Sequence, residues 1–252
     1  MKRKVTIGRT RFASDIVAEY LAPEKKSSKV IILCSGMPSY PGRRADLMQF
    51  FTKQGYWVII PRYRGTWESD GEFLKKSPHE DVIDIMNGVE AGFTDLWSGN
   101  VVTIAKPKFY LLGGSFGGPA VILASRDARA VKVAAMSPVI DWTMQEKTVE
   151  PIDQLARFVP IAFGQAYRGK KDMWKKLSKG NFYSPIREAE TVTGKKLIII
   201  HAEDDNVVPF APAENFAMKT GATFVKARTG GHMGIENFTE PRFWKKIKMF
   251  LG

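Results

Sequence analysis

The stretch YLLGGSFGGPAV, residues 110–121, runs from an apolar strand-like segment into a helix-like one through a cluster of glycines. Gly113, Ser115 and Gly117 fit G-x-S-x-G, with Phe116 directly after the serine. A sharp strand-to-helix turn crowds the backbone, so bulk is excluded two positions either side of the serine while its hydroxyl is left exposed. The helix that follows would also point free N–H groups toward the hydroxyl. An ordinary glycine-rich turn has the same composition. What separates the two readings is whether the rest of the chain supplies partners for Ser115.

Working outward, short β-branched runs recur at Val5–Ile7, Ile16–Leu21, Val30–Cys34, Trp57–Pro61, Phe109–Gly113, Val131–Ser137, Leu197–His201 and Thr223–Ala227. Several are apolar throughout, the pattern of parallel strands covered on both faces. Helical periodicity lies between them. GRRADLMQFFTKQG places Leu47, Phe50 and Phe51 on one side, and SPHEDVIDIMNGVEAGF carries Ser77 as cap, Pro78 at the first helical position and a stripe of Val82, Ile85, Met86 and Val89. FGGPAVILAS, PFAPAENFAMKTG and EPRFWKKIKMFLG complete the helices. This alternation predicts an α/β fold on a mostly parallel sheet. Residues 141–185 break the rhythm: they hold no good strand and read as two or three short helices, either a cap over a pocket or an elongated crossover.

A chain of 252 residues suits one domain, and a domain of that size buries enough surface to need no covalent staples. Apolar content of 44% and charged content of 25% are ordinary globular values. The single cysteine, Cys34, rules out an internal disulfide and ends a strand, where a buried inert thiol is expected. The basic N-terminus lacks a secretory apolar run, and no apolar stretch approaches the roughly 20 residues of a membrane span, so a cytoplasmic location is expected. The net charge of +12 favours anions in general. The lysines and arginines are scattered, however, without zinc-finger spacing or an RNA-binding signature, so nucleic acid is not an expected partner. There is no metal-ligand spacing, and GGSFGG is not followed by the Gly-Lys-Ser/Thr of a phosphate-binding loop. No cofactor or metal is expected.

A serine hydroxyl needs a base to act as a nucleophile. Of three histidines, His79 sits at a helix start and His201 ends a strand, where it would shape the loop beyond; His232 lies in ARTGGHMG, a glycine-flanked loop after the last strand. That loop makes His232 the candidate base. An imidazole acting this way needs a carboxylate to fix its tautomer, and HAEDDNVVP offers Glu203, Asp204 and Asp205. The chain order is then serine, acid, histidine.

These motifs resemble those of the α/β-hydrolases, and the resemblance runs nearly the full length. HAEDDNVVP resembles H-G-x-x-D-x-x-V-P, which implies Asp205 as the acid; LCSGMPSYPG resembles the H-G-F-P oxyanion loop after the third strand; PRYRGTWESDGEF resembles D-x-R-G-x-G-x-S-x-G after the fourth. The C-terminal segment from SPI through KKLIIIHAEDDNVVPFAPAENF is most similar to the dienelactone-hydrolase and prolyl-oligopeptidase branch. The resemblance implies an eight-stranded sheet flanked by helices with a helical cap, a Ser115–His232–Asp205 triad, and an oxyanion hole from the backbone N–H groups of Met37 and Phe116. Departures are Ser35 and Ala202 in place of the family's His and Gly, and Arg62 in place of its Asp. Arg62 either faces the pocket, favouring an acidic substrate, or forms a surface salt bridge, while Arg64 braces its loop. Trp67 and Trp142 are candidates to line the acyl pocket, with packing as the alternative. The expectation is a serine hydrolase of carboxylic esters, with a short-peptide peptidase as the alternative; the chain leaves no room for the N-terminal propeller that gates the oligopeptidases. A non-catalytic binding protein on the same fold is a further alternative. Oligomeric state is not legible.

Overall fold

The computed structural model describes residues 6–42 and 44–252. Its frame is one eight-stranded sheet in the order β1-β2-β4-β3-β7-β8-β9-β10. The strands are β1 (Gly8–Phe12), β2 (Ile16–Leu21), β3 (Lys29–Cys34), β4 (Trp57–Pro61), β7 (Lys108–Gly114), β8 (Ala130–Met136), β9 (Leu197–Ala202) and β10 (Thr223–Ala227). A separate two-stranded ribbon, β5 (Phe93–Thr94) with β6 (Val101–Val102), was not expected. Strands β1 and β2 pair antiparallel, β2 meets β4 antiparallel, and the remaining pairings are parallel. This is the α/β-hydrolase fold, with each expected strand from the second onward present to within a residue at either end. The first is displaced: Val5 lies outside the described residues, Ile7 is not in a strand, and the pairing starts at Gly8 opposite Tyr20. The less apolar run GRTRF wins because its alternation, with Thr10 and Phe12 buried and Arg11 exposed, suits an edge strand with one covered face.

The all-apolar strands are explained by cover on both faces. In β3, Val30, Ile32 and Cys34 enter one core and Ile31 and Leu33 the other. Helices α1 (Ala45–Lys53) and α7 (Pro241–Leu251) pack on the second face; α2 (Pro78–Ala91), α3 (Gly117–Ala124) and α6 (Phe210–Thr220) pack on the first. The expected stripe of α2 is buried, and Glu80 accepts the Ser77 N–H at 3.1 Å as a capping box does. In α1 the buried residues are Leu47, Met48 and Phe51; Phe50 instead lies half-buried with its ring 5.1 Å from that of Trp244 in α7.

Between β8 and β9 the chain makes helices and no strand of the sheet, with an isolated antiparallel bridge from Tyr167 to Thr66. A short 3-10 turn at Trp142–Lys147 leads into α4 (Ile152–Phe163) and α5 (Lys171–Ser178). This segment is stitched to the loop after β4: Trp67 N donates to Ala166 O at 2.9 Å, Arg168 N to Gly65 O at 2.8 Å and Phe73 N to Arg168 O at 2.8 Å. The Arg168 guanidinium adds bonds to the carbonyls of Trp67 and Ser69. Among the described residues no helix is long and apolar enough to cross a membrane.

Candidate active site

Ser115 follows β7 directly. Its φ of 52° lies in the left-handed region, a strained position for a residue with a side chain. The turn is held there by bonds on both sides: Ser115 N donates to Met136 O at 2.9 Å, and Gly118 N donates to Ser115 O at 3.0 Å. The flanking glycines have a steric cause. A Cβ on Gly113 would sit 2.2 Å from Gly117 O, and one on Gly117 would sit 2.2 Å from Cys34 O. Any side chain at either position would force β7, α3 and β3 apart.

The other two chemistry-bearing loops leave neighbouring parallel strands at the same sheet edge, where ligands of such sheets bind. Asp205 follows β9 and is almost fully buried. Its Oδ1 accepts the N–H groups of Val207 at 3.0 Å and Val208 at 2.9 Å, and its Oδ2 lies 2.9 Å from His232 Nδ1. Burial alone would raise the carboxyl's pKa; hydrogen bonds from His201 and His232, with those from the loop amides, outweigh it and hold Asp205 well below the usual carboxylate range. Asp204 does a separate job. It accepts the N–H of Gly231 at 2.8 Å and of Gly230 at 3.3 Å, clamping the loop that carries His232. Glu203 faces outward and pairs with Lys226 at 2.7 Å.

The His232 loop docks on the serine turn. A Cβ on Gly114 would meet Ile235 N at 2.9 Å, and Met233 N donates to Ser137 Oγ at 3.3 Å. Imidazole and hydroxyl thus sit on touching backbone segments, although no hydrogen bond joins Ser115 to His232 among the described residues. Such bonds are often long in the absence of substrate and tighten when it binds.

On the opposite side Gly36 approaches closely enough that its Cβ would lie 3.2 Å from Ser115 Cβ. The N–H groups of Met37 and Phe116 donate to no protein acceptor among the described residues. Unpaired amides in a packed interior are uncommon and ask for a ligand. The cleft at Ser115 has about 20 Å³ of free space and is walled by Met37, Phe116, Trp142, Gln145 and Leu155.

Other expected residues divide. Trp142 walls this cleft, and it is also a packing residue: it is 2% exposed, and its Nε1 donates to Tyr183 O at 2.6 Å. Trp67 lies in an adjoining recess with Tyr167, its Nε1 donating to Ser39 O at 3.1 Å. Arg62 borders that same recess, yet it is 5% exposed and bound to Glu19 at 2.8 Å and Glu68 at 3.2 Å. It is a buried ion pair rather than a surface one, with its charge already matched. Arg64 does brace its loop, reaching Asp15, Asp81 and Asp84 at 2.6, 2.5 and 2.6 Å. His79 bonds Ser77 Oγ at 2.7 Å by the helix start. Cys34 is fully buried, and burial, partly offset by a bond with Tyr63, pushes its thiol up to about 12.

Two contacts were not foreseen. His201 Nε2 lies 3.2 Å from Asp205 Oδ2 and 3.1 Å from Val208 O, so it supports the same carboxylate as His232. The sequence signal was the four-residue spacing of His201 and Asp205 around a tight loop. Gln145, inside the helical segment, had no signal at all.

Comparison with known proteins agrees with this architecture. An esterase from Pyrococcus furiosus superposes with a TM-score of 0.71 at 15% identity, covering 98% of this chain and 90% of its own. An α/β serine hydrolase homologue from Coxiella burnetii gives 0.54 at 16% identity, covering 100% of this chain and 97% of its own. The acylaminoacyl peptidase of Pyrococcus horikoshii gives 0.63 at 16% identity; this chain is covered to 99% but spans only 41% of that protein. Likeness at such identities speaks to fold. No curated protein matches the chain in sequence. The sequence profile of the prolyl oligopeptidase family matches residues 44–231, a span that contains Ser115 and Asp205 and stops one residue before His232. On that match, and on a fold that agrees with it, the chain belongs to the prolyl oligopeptidase family of α/β-hydrolase-fold serine hydrolases.

Proposed function

We propose that the protein hydrolyses carboxylic esters through an acyl-enzyme formed on Ser115. The observation that carries the proposal is the strained φ of Ser115 beside two unpaired amides and an Asp205–His232 pair. In this reading Ser115 Oγ attacks the acyl carbonyl while His232 Nε2 takes its proton. Asp205, ionised and fixed by the amides of Val207 and Val208, receives the Nδ1–H of the ring and stabilises the imidazolium. The carbonyl oxygen gains negative charge and accepts the N–H groups of Met37 and Phe116; one such donor is commonly worth roughly 2.7–4 kcal/mol of barrier. His232 then gives its proton to the departing alkoxide, which leaves as the alcohol. A water molecule, deprotonated by the same ring, releases the acid and restores the serine. None of these steps calls on a metal or an organic cofactor.

The second reading is a peptidase acting on short peptides, supported by the family match. The ester reading is put first because the superposition covers 90% of the Pyrococcus furiosus esterase's length but only 41% of the acylaminoacyl peptidase's. The test is a panel of p-nitrophenyl esters against aminoacyl and peptidyl substrates, run with wild type and Ser115→Ala. Ester turnover abolished by Ser115→Ala is expected. Cleavage of amides alone would overturn the ester reading in favour of the peptidase. Failure of a fluorophosphonate probe to label Ser115 in the native protein would favour a binding protein without catalysis.

A further inference from the structure

Gln145 is 2% exposed and forms part of the wall of the cleft beside Ser115. Its amide nitrogen is surrounded by acceptors: Val207 O at 2.5 Å, Thr148 Oγ1 at 3.0 Å and Glu150 O at 3.3 Å. Thr148 Oγ1 itself donates to Gln145 O at 2.8 Å, so it can only accept from the side chain. Two carbonyls and a committed hydroxyl fix which end of the amide is nitrogen, since the reversed amide would face its oxygen to all three. The oxygen, Oε1, is buried and has no partner. A buried carbonyl left unpaired is costly, and a binding site is one of the few places where such a cost is repaid.

The surroundings say what would repay it. Trp142 has spent its indole N–H on Tyr183 O, and Met37, Phe116 and Leu155 offer only apolar side chains. The remaining polar side chain of the wall besides Ser115 is Glu150, which has no ion-pair partner among the described residues. Apart from Ser115, the free polar side-chain atoms of that wall are therefore acceptors, while its free donors are the backbone amides of Met37 and Phe116 already assigned to the carbonyl oxygen. The free space of about 20 Å³ is that of roughly one water molecule, enough for a hydroxyl or amino group and too little for an extended chain.

We infer that Gln145 is a specificity residue whose Oε1 accepts a hydrogen bond from the acyl part of the substrate, so that the preferred substrates are esters of short acids carrying an O–H or N–H donor next to the carbonyl. The inference rests on the ester-hydrolase reading above. A site built to bond a substrate donor rejects the analogue lacking it more strongly than an apolar pocket rejects a missing methylene.

The experiment compares kcat/KM for ethyl lactate, ethyl 2-fluoropropionate and alanine ethyl ester, titrating the acid released. The fluoro ester has similar size and electron withdrawal to lactate but no donor. Wild type should prefer lactate to the fluoro ester by at least about tenfold. Gln145→Met should bring that ratio close to one. The ratio is unaffected by any loss of folded protein, so a merely structural role for Gln145 would leave it unchanged and overturn the inference; so would a wild-type ratio of one. A preference for the alanine ester that falls in Glu150→Gln would assign the donor as an amine, and a preference for lactate unaffected by Glu150→Gln would assign it as a hydroxyl. If fluorophosphonate labels Ser115 but none of these esters is cleaved, this inference fails alone. If Ser115 is not labelled either, both readings fall together.

Discussion

Two imidazoles meet Asp205 Oδ2. His201 reaches it at 3.2 Å from the end of β9, and His232 at 2.9 Å from the loop after β10. His201 is fully buried; its Nε2 faces Asp205 and Val208 O, which puts the ring proton there, and its Nδ1 is buried without a partner. His232 keeps 24% of its side chain exposed and turns only Nδ1 toward the carboxylate. A shared carboxylate therefore does not identify a base. What differs is the far nitrogen, which in His232 belongs to a ring that borders solvent and in His201 is sealed in the core.

That contrast can be broken. Ser115→Ala and His232→Phe should each reduce ester turnover by about 10⁵- to 10⁶-fold, since residues of a triad act as one unit. His232→Phe should cost less thermal stability than the loss of His201, because its ring borders solvent and Val208 O keeps its donor. A turnover of His232→Phe within tenfold of wild type would remove the distinction between the rings. Asp205→Asn should cost about 10⁴-fold in kcat, the usual result of leaving the base in the wrong tautomer.

The reciprocal variant is His201→Phe. It should keep ester turnover within about tenfold, since Asp205 retains His232 and two amides. It should lose about 1–3 kcal/mol in chemical denaturation, because Val208 O and Asp205 each lose a buried donor. If activity falls as far as in His232→Phe, His201 is part of the proton path and the comparison fails.

Asp205 also predicts a pH dependence with a definite sign. Its folded carboxyl is held well below the ordinary value of 3.8, so its contribution to stability is complete above that pH and is lost as pH falls through the folded value. Denaturation curves should show wild type more stable than Asp205→Asn at neutral pH, with the gap closing below about pH 4. A constant gap would mean that the carboxylate is not what the variant removes. The smallest effect concerns Cys34, which pairs in register with Gly113 two residues from the serine. With its thiol pushed up to about 12, a disulfide reagent at pH 8 should leave it unmodified until the protein unfolds.

The sheet was legible because apolar runs without alternation announce strands covered twice, as β3 and β7 are. The Ser115 turn was legible because sterics demand its glycines. Asp205 rather than Asp204 as the partner of His232 came from the spacing of a motif, and the two aspartates do bond different groups. Less was visible where chemistry depends on distant neighbours. Arg62 looked like a pocket or surface charge because its shorter bond is to Glu19, which is remote in sequence. Gln145 was invisible, since an unpaired atom is a property of three dimensions. The ribbon of β5 and β6 has two residues per strand, too short for any periodicity.

The stitching of residues 166–168 to the loop after β4 bears on how substrate scope could be engineered. Deleting the helical segment would strip hydrogen-bond partners from Gly65, Trp67 and Phe73, loosening the neighbouring wall along with the one removed. Changes to the cleft beside Ser115 are therefore better sought by exchanging single side chains between Trp142 and Leu155 than by excision or grafting of the whole insertion.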